Sequence, residues 1–276
     1  MKVWSRNLWA LASHSLACII RNESAQQVLA LSPDEQIFYF KYLAEINQSK
    51  ESNEKNEIEA PWKPRSSFNL VHEFFQLPCS VATRYKRAEW FFDKGWQNKS
   101  ILLLGDDDLV STELSNREFS KVSVVDCDEK VLAKINEICA SNIVKPQTFK
   151  GDLADPHFTP PSAADIVCLD PPYNFKWTLI FLNAAFRSVV KKGPSHIVLM
   201  LNPMCLKQEE FSIVKNFLME NGYHLKTHIR HFNHYPITGI NRWLLWFGTA
   251  VFLRLKSNLA RNHLYFGSDL FEFVRD

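Results

Sequence analysis

Apolar runs that alternate with helical periods define the middle of the chain, from residue 101 onward. Four apolar residues in a row, Ile101 to Leu104, are typical of a strand buried on both faces. The same pattern predicts strands over residues 101–104, 121–125, 146–150, 165–169 and 195–201. Between them, apolar residues at helical spacing predict helices over residues 109–117, 128–140, 175–191 and 208–221. Strands separated by helices of this length form a parallel sheet with right-handed crossovers.

Two β-rich segments follow the fifth predicted strand. They span residues 223–232 and 243–255, and Gly248 is predicted to form a bulge in the second. An antiparallel pair at the edge of a parallel sheet is the layout of the Rossmann-like, class I methyltransferase fold. The sequence therefore predicts an α/β domain of this class.

The first part of the chain has a different pattern. Helical spacing predicts three short helices over residues 4–20, 24–31 and 33–47, the last opened by the capping box Ser32-Pro33-Asp34-Glu35. They form either a winged-helix-like module or a helical cap on the main domain. The polar, charged segment 48–60 is typical of a linker. We therefore predict an N-terminal helical module over 1–47 and a catalytic domain over 61–276, which also contains a helix over 80–95.

Composition narrows the possible partners. The net charge of +2 across 276 residues argues against a strongly basic nucleic-acid surface. The six cysteines are scattered and form no C-x-x-C pair, which favours reduced thiols in a cytoplasmic protein. Ser13, His14 and Ser15 interrupt the apolar run 8–20, so we expect no export signal there. No apolar stretch approaches the length of about 20 residues that spans a bilayer.

Candidate chemistry begins at the turn after the first predicted strand. A buried strand, Gly105 and a helix form the first half of a mononucleotide-binding βαβ unit. Asp126 ends the next strand, at a spacing that suits a carboxylate binding the two ribose hydroxyls of an adenosine-type ligand. Three aspartates, Asp106, Asp107 and Asp108, fill the turn itself. This turn favours a cation over an anion.

The charge of this turn then indicates which adenosine-type ligand it favours. Two like charges about 5 Å apart at an effective dielectric near 20 repel by roughly 3 kcal/mol. The carboxylate of S-adenosylmethionine would meet that repulsion, and the following helix N-terminus offsets only about 0.3–1 kcal/mol of it. Decarboxylated S-adenosylmethionine keeps an ammonium group and has no carboxylate, so the turn attracts it. We expect Asp108 to serve instead as the cap of the helix.

A second acidic motif, Asp170-Pro171-Pro172-Tyr173, ends the fourth predicted strand. The carboxyl ends of parallel strands form the ligand crevice of such sheets. Asp170 and the carbonyl of Pro171, on a backbone stiffened by Pro172, can accept both hydrogens of an amino group while Tyr173 forms a flat wall. Asp152, after the third strand, can reach an adenine amino group, although a turn role for it is equally consistent with the sequence.

Four histidines near the end of the predicted sheet are candidate metal ligands, namely His224, His228, His231 and His234. Strand alternation places His224 and His228 on one face and His231 on the other, and no cysteine completes a ligand shell. We therefore expect no metal site and no permanently bound cofactor.

Together these motifs resemble the branched-chain polyamine synthase family, the N4-bis(aminopropyl)spermidine synthases. The resemblance covers about residues 70–255 and is carried by Gly105-Asp106-Asp107-Asp108-Leu109, Asp126, Gly151-Asp152-Leu153 and Asp170-Pro171-Pro172-Tyr173. Gln76-Leu77-Pro78 is similar to the family segment leading into the sheet, and Gln76 is a candidate binding residue. Phe75 stands where the family has an acidic residue, which predicts a changed amine pocket.

The resemblance implies transfer of the aminopropyl group from decarboxylated S-adenosylmethionine to a spermidine-like polyamine, with release of methylthioadenosine. It also implies a homodimer. In this interpretation Asp126 holds ribose, and Asp106, or Asp106 with Asp107, binds the propylammonium group and accepts a proton. The rival interpretation is an S-adenosylmethionine-dependent amino-methyltransferase acting on nucleic acid through the D-P-P-Y motif. The acidic turn and the near-neutral charge argue against it.

Overall fold

The computed structural model describes residues 79–203, 206–236 and 265–276. The three N-terminal helices, the linker, Phe75, Gln76 and the segment 243–255 lie outside these residues. No helix in the described part of the chain is both long and apolar enough to cross a membrane.

Within these described residues, seven strands form one mixed sheet in the order β3-β2-β1-β4-β5-β7-β6. The strands are β1 Ser100–Leu104, β2 Lys121–Asp126, β3 Gln147–Lys150, β4 Ile166–Leu169, β5 Ser195–Leu201, β6 His224–Pro236 and β7 Tyr265–Arg275. The helices are α1 Val81–Asp93, α2 Val110–Asn116, α3 Glu129–Ile138, α4 Phe175–Ser188 and α5 Gln208–Glu220. The first five strands are parallel, whereas β7 runs antiparallel to both β5 and β6. The predicted class I methyltransferase-like fold is confirmed.

Helices cover both faces of the sheet, so its central strands are apolar throughout. Strand β4 is wholly buried, and β1 is buried from Ile101 to Leu104. One apolar cluster includes Leu102, Leu104 and Val167, and the other includes Ile101, Leu103 and Phe91. Two-sided burial accounts for the continuous apolar runs in the sequence.

The antiparallel edge differs in detail from the prediction. The strand between β5 and β6 is β7, at residues 265–275, which the apolar pattern did not identify. Both of its faces are buried, and polar side chains at Ser268, Asp269 and Glu272 interrupt the apolar pattern that marks a strand. An antiparallel pair at the edge of the sheet is therefore confirmed; it includes a strand that was not predicted, and the predicted strand over 243–255 lies outside the described residues.

Candidate active site

The acidic turn, residues Gly105 to Leu109, connects β1 to α2 at the carboxyl edge of the sheet. Gly105 has φ +75°, where a side chain would be strained, and its N–H donates to the Val125 carbonyl at 2.8 Å. Leu109 also has positive φ, +58°, although it carries a branched side chain. A non-glycine residue held in this region costs on the order of 1–3 kcal/mol, and such strain clusters at functional sites.

Asp106 caps helix α2. Its Oδ1 accepts the Val110 N–H at 2.8 Å, and its Oδ2 accepts the Ser111 N–H at 3.1 Å. The side chain is buried, and this burial raises the pKa of Asp106 to about 7. The expectation that Asp108 provides the cap is therefore wrong. The αL conformation of Leu109 turns the chain so that Asp106 faces the helix N-terminus and Asp108 faces away from it.

Asp108 is paired inside the protein with Arg87 of helix α1. The Nη1 atom of Arg87 lies 2.6 Å from Asp108 Oδ2, and both side chains are almost completely buried. Asp108 also accepts a hydrogen bond from the backbone N–H of Cys79. One of the three aspartates of the acidic turn is thus neutralised by the protein itself.

Arg87 is a site residue that sequence reasoning missed, as are its partners Asn233 and Tyr235. Its Nη2 donates to Asp170 Oδ2 at 2.7 Å, and its Nε donates to Asn233 Oδ1 at 2.7 Å. A signal was present, because helical spacing places Arg87 on the same buried face as Ala88 and Phe91. A charged residue on the apolar face of a helix requires a buried partner.

Asp107 has the opposite situation. It is half-buried, and among the described residues its carboxylate has neither a hydrogen-bond donor nor a paired cation. Burial raises the pKa of Asp107, and the neighbouring carboxylates raise it further, namely those of Asp108, Asp126, Asp170 and Asp106. Each of those four has a donor in the structure. Asp107 is therefore the carboxylate of the turn that lacks compensation.

The D-P-P-Y motif lies beside the acidic turn. Asp170 follows β4 directly, and its Oδ2 accepts a hydrogen bond from the Tyr235 hydroxyl at 2.6 Å in addition to that from Arg87. Its Oδ1 accepts the Tyr173 hydroxyl at 3.2 Å. Burial raises the pKa of Asp170 to about 6, although Arg87 opposes the shift. Pro171 is buried and Pro172 half-buried, and the Tyr173 and Tyr235 rings meet edge to face at 5.9 Å.

Asp126 is joined to the acidic turn through a backbone contact. It is the last residue of β2, and its Oδ2 accepts the Asp106 N–H at 3.0 Å while its Oδ1 accepts the Asp128 N–H at 2.8 Å. Asp152, beyond β3, is exposed and its Oδ1 accepts the Ala154 N–H at 2.8 Å. The preceding Gly151 is packed so closely that a Cβ atom there would lie 2.9 Å from the Phe158 ring.

His228 of β6 is held by neighbouring side chains. His228 Nε2 lies 2.8 Å from Asp269 Oδ2, and its ring stacks on Phe271. In the described ranges, no group of three or more His, Cys, Asp or Glu side chains is arranged to hold a metal ion.

This arrangement of fold and site has counterparts among known proteins. The crystal structure of the branched-chain polyamine synthase from Thermus thermophilus, in complex with N4-aminopropylspermidine and 5′-methylthioadenosine, superposes with a TM-score of 0.60 at 18% identity. The match covers 83% of this chain and 62% of that one. A Pyrococcus horikoshii structure, provisionally assigned as an RNA methyltransferase, gives 0.51 at 16% identity, over 75% of this chain and 91% of that one. At these identities the likeness shows the fold.

Sequence comparison adds a relative and a family. An uncharacterised protein of Methanocaldococcus jannaschii is 28% identical over 180 residues, which cover 63% of this chain and 44% of the relative. The chain thus spans less than two thirds of the length of this relative and of the Thermus synthase. The family model that describes the C-terminal domain of branched-chain polyamine synthase A matches residues 60–265. The predicted resemblance is confirmed, and the chain belongs to the family of the branched-chain polyamine synthase A C-terminal domain.

Proposed function

We propose that the chain is an aminopropyltransferase that moves the aminopropyl group of decarboxylated S-adenosylmethionine onto a polyamine nitrogen. The observation that carries this proposal is the uncompensated carboxylate of Asp107, surrounded by other acids at the carboxyl edge of the sheet. A half-buried carboxylate without a partner is costly, and an ammonium group supplied by a ligand removes that cost.

The nucleoside end of the co-substrate takes the position expected of this fold. Asp126 binds the ribose hydroxyls, since it ends β2 beside the Gly105 turn. Its carboxylate has two oxygens and about four acceptor positions, so two backbone N–H donors leave capacity for a ligand. Asp152 contacts the adenine amino group, because it follows the neighbouring strand β3 and is exposed.

The propylammonium end binds at the acidic turn, with Asp107 as its main partner. The assignment of this role to Asp106 stays a prediction, but both of its oxygens already accept hydrogen bonds from helix α2. Arg87 is saturated by Asp108, Asp170 and Asn233, so its guanidinium is not offered to a ligand carboxylate. Both features favour the decarboxylated co-substrate over S-adenosylmethionine.

The acceptor amine binds at the D-P-P-Y motif. Asp170 Oδ1 and the Pro171 carbonyl accept its hydrogens, and Tyr173 limits its position. The neutral nitrogen then attacks the carbon next to the sulfonium, so that a C–N bond forms, the C–S bond breaks and sulfur leaves as the neutral thioether of methylthioadenosine. The proton lost from nitrogen passes to a carboxylate, for which Asp170 is suited because its pKa is raised to about 6. Positioning and electrostatics supply the catalysis.

A spermidine-like acceptor is supported by family membership and by the aminopropylspermidine in the Thermus synthase structure. The homodimer, the cytoplasmic location and the roles of Gln76 and Phe75 stay predictions from the sequence. A nucleic-acid amino-methyltransferase is the outcome that the experiment below must separate from the proposal.

The test is a product assay with two co-substrates. The purified protein is incubated with a panel of polyamines and either decarboxylated S-adenosylmethionine or S-adenosylmethionine, and the products are identified by mass. We expect methylthioadenosine and a polyamine enlarged by one or two aminopropyl groups only in the reactions that contain decarboxylated S-adenosylmethionine. Methyl transfer from S-adenosylmethionine to DNA or RNA, without aminopropyl transfer, would overturn the proposal.

A further inference from the structure

Arg87 connects three segments that meet at the candidate active site. Its guanidinium contacts Asp108 of the acidic turn, Asp170 of the D-P-P-Y motif and Asn233 of β6, at 2.6, 2.7 and 2.7 Å. Its side chain is 3% exposed, and its Nη2 also donates to the Tyr235 hydroxyl at 2.6 Å. All three nitrogens are therefore used, in the planar fork geometry that lysine cannot reproduce.

These contacts hold the Oδ2 atom of Asp170 in place and leave its Oδ1 atom available to a ligand. Arg87 and Tyr235 both donate to Oδ2, at 2.7 and 2.6 Å. Within the described residues, Oδ1 accepts only the 3.2 Å hydrogen bond from Tyr173. A carboxylate whose rotation is fixed through one oxygen presents the other with a defined direction, which an attacking amine requires.

We propose that Arg87 is a positioning residue for aminopropyl transfer: it fixes Asp170 through Oδ2, so that Oδ1 accepts the amine, and it keeps Asp170 anionic. This inference rests on the proposed function. Arg87 acts through Asp170 and does not contact the reacting atoms. Its ion pair with Asp108 also ties the D-P-P-Y motif to the acidic turn, so the two halves of the site keep a constant separation.

The second arginine of helix α1 provides a matched control. Arg84 is as deeply buried as Arg87, but it pairs with Glu113 of α2 at 3.1 Å, away from Asp170. Replacing Arg84 with methionine removes the same charge from the same helix. It therefore reproduces the general cost of losing a buried ion pair without changing the surroundings of Asp170.

The experiment measures kcat, KM and the pH dependence of kcat for wild type, Arg87→Met, Arg87→Lys, Tyr235→Phe and Arg84→Met. Methylthioadenosine binding, measured calorimetrically, verifies that each variant is folded. The charged and titratable groups that face Asp170 come from every neighbouring element, namely Arg87 of α1, Asp107 and Asp108 of the acidic turn, Cys168 of β4, Tyr173 of the motif and Tyr235 of β6. Arg87 is the one cation among these groups, and Arg87→Met removes it.

For Arg87→Met we expect kcat to fall by about 100-fold. The acid limb, which is the loss of kcat at low pH as Asp170 is protonated, should move up by roughly one pH unit or more, because a nearby arginine lowers a carboxyl pKa by about that much. Arg87→Lys should restore the limb to near the wild-type pH but leave kcat about tenfold low, since the charge returns without the fork. Tyr235→Phe should shift the limb in the same direction by less. The KM for the co-substrate should change by less than about threefold.

Two outcomes overturn the inference. One is an unshifted acid limb in both Arg87→Met and Tyr235→Phe, and the other is an equal shift in Arg84→Met. If Arg87→Met does not fold, Arg87→Lys and Tyr235→Phe still decide the question. Failure of the proposed function is distinguishable, because wild type would then give no aminopropyl product at any pH.

Discussion

Two buried carboxylate sites in this sheet differ in how their charge is matched. Glu272 on β7 is fully buried and accepts hydrogen bonds from Lys94 and Thr227 at 2.6 Å and from His196 at 3.1 Å. Burial by itself would raise the pKa of Glu272, but these three partners lower it to about 2. The site is complete, and its charge contributes to stability.

In the acidic site, by contrast, the carboxylates are not matched by an equal number of cations. It consists of the acidic turn with Asp126 and Asp170, and within the described residues Arg87 is the cation paired with it. Burial raises the pKa of Asp106 to about 7 and that of Asp170 to about 6. Folding therefore leaves a demand for positive charge there, which a ligand can meet. A carboxylate that is satisfied stabilises a protein, whereas one that is left unsatisfied marks a binding site.

The largest test of this comparison is Asp170→Asn. We expect kcat to fall by about 1,000-fold, because the amide cannot accept the amine hydrogens through an anionic oxygen or take up the proton. The affinity for methylthioadenosine should be unchanged, since the proposed function assigns Asp170 to the amine and not to the nucleoside. Steady-state kinetics and calorimetry measure the two quantities. Wild-type turnover in this variant would remove Asp170 from the mechanism.

The complementary substitution is Glu272→Gln, which disrupts the site where the buried carboxylate is matched by its partners. Loss of the buried charge leaves Lys94 and His196 without their partner, and we expect the free energy of unfolding to drop by about 3 kcal/mol. Turnover per folded molecule should stay at the wild-type value. Urea denaturation, with activity assayed well below the midpoint, measures both. A large loss of kcat with unchanged stability would reverse the roles assigned to the two sites.

Under the proposed function, Asp107 is the residue expected to select the co-substrate. In Asp107→Asn the propylammonium group loses its main partner, so affinity for decarboxylated S-adenosylmethionine should fall. Affinity for S-adenosylmethionine should hold or rise, because a repulsion is removed. Solvent screens part of the effect, so we expect the ratio of the two dissociation constants to move by about tenfold.

Asp106→Asn is the matched control for this measurement. Its oxygens cap α2, so its main effect should be on stability. Equal affinity of wild type for both co-substrates would contradict the selection argument.

The smallest expected effect is on the pH dependence of stability. The carboxyl groups of Asp106 and Asp170 have higher pKa values in the folded protein than in the unfolded chain, so the folded state binds more protons. Stability should therefore decrease as pH rises from about 4 to 7. Glu272, with its lowered pKa, acts oppositely and loses its contribution as pH falls from about 4.5 to 2.

Thermal unfolding between pH 3 and 8 tests this directly. We expect a maximum near pH 4–5, a decline of a few degrees toward pH 8, and a smaller decline when a polyamine occupies the acidic site. Asp107→Asn should also flatten the decline. Stability that rises steadily up to pH 8 in wild type without ligand would contradict the assignment of raised pKa values to this site.

Much of this site follows from local sequence pattern. Asp126 and Asp170 could be located because each ends or directly follows an apolar run, and Asp152 because it lies just beyond the next predicted strand; parallel strands bring their carboxyl ends to one edge. The parallel arrangement of β1 to β5 follows from the alternation of strands and helices. These features depend on neighbours in sequence and on general rules of topology.

The remaining features depend on contacts between distant segments. Asp106 and Asp108 are both acidic residues of one turn, and only the αL conformation of Leu109 decides which of them caps α2. Arg87 meets Asp170 and Asn233 from far along the chain, and no local pattern identifies its partners. Strand β7 was missed because its polar residues are buried by pairing with both β5 and β6.

The position of β7 has a consequence for the order in which the molecule assembles. Strand β6 bonds to β7 and to no other strand of the described sheet, so it is attached to the sheet through the pairing of β7 with β5. That pairing joins Leu201 to Asp269, distant positions whose contact forms slowly during folding. Yet β6 carries Asn233 and Tyr235, which hold Arg87 and Asp170.

We therefore expect a folding chain to form β1 to β3, which carry the proposed nucleoside contacts, before it forms the contacts proposed to orient an amine. Refolding followed by two probes should reveal this delay, with methylthioadenosine binding recovered first and aminopropyl transfer later. If the proposed function holds, a partly folded chain of this kind should bind methylthioadenosine before it can transfer an aminopropyl group.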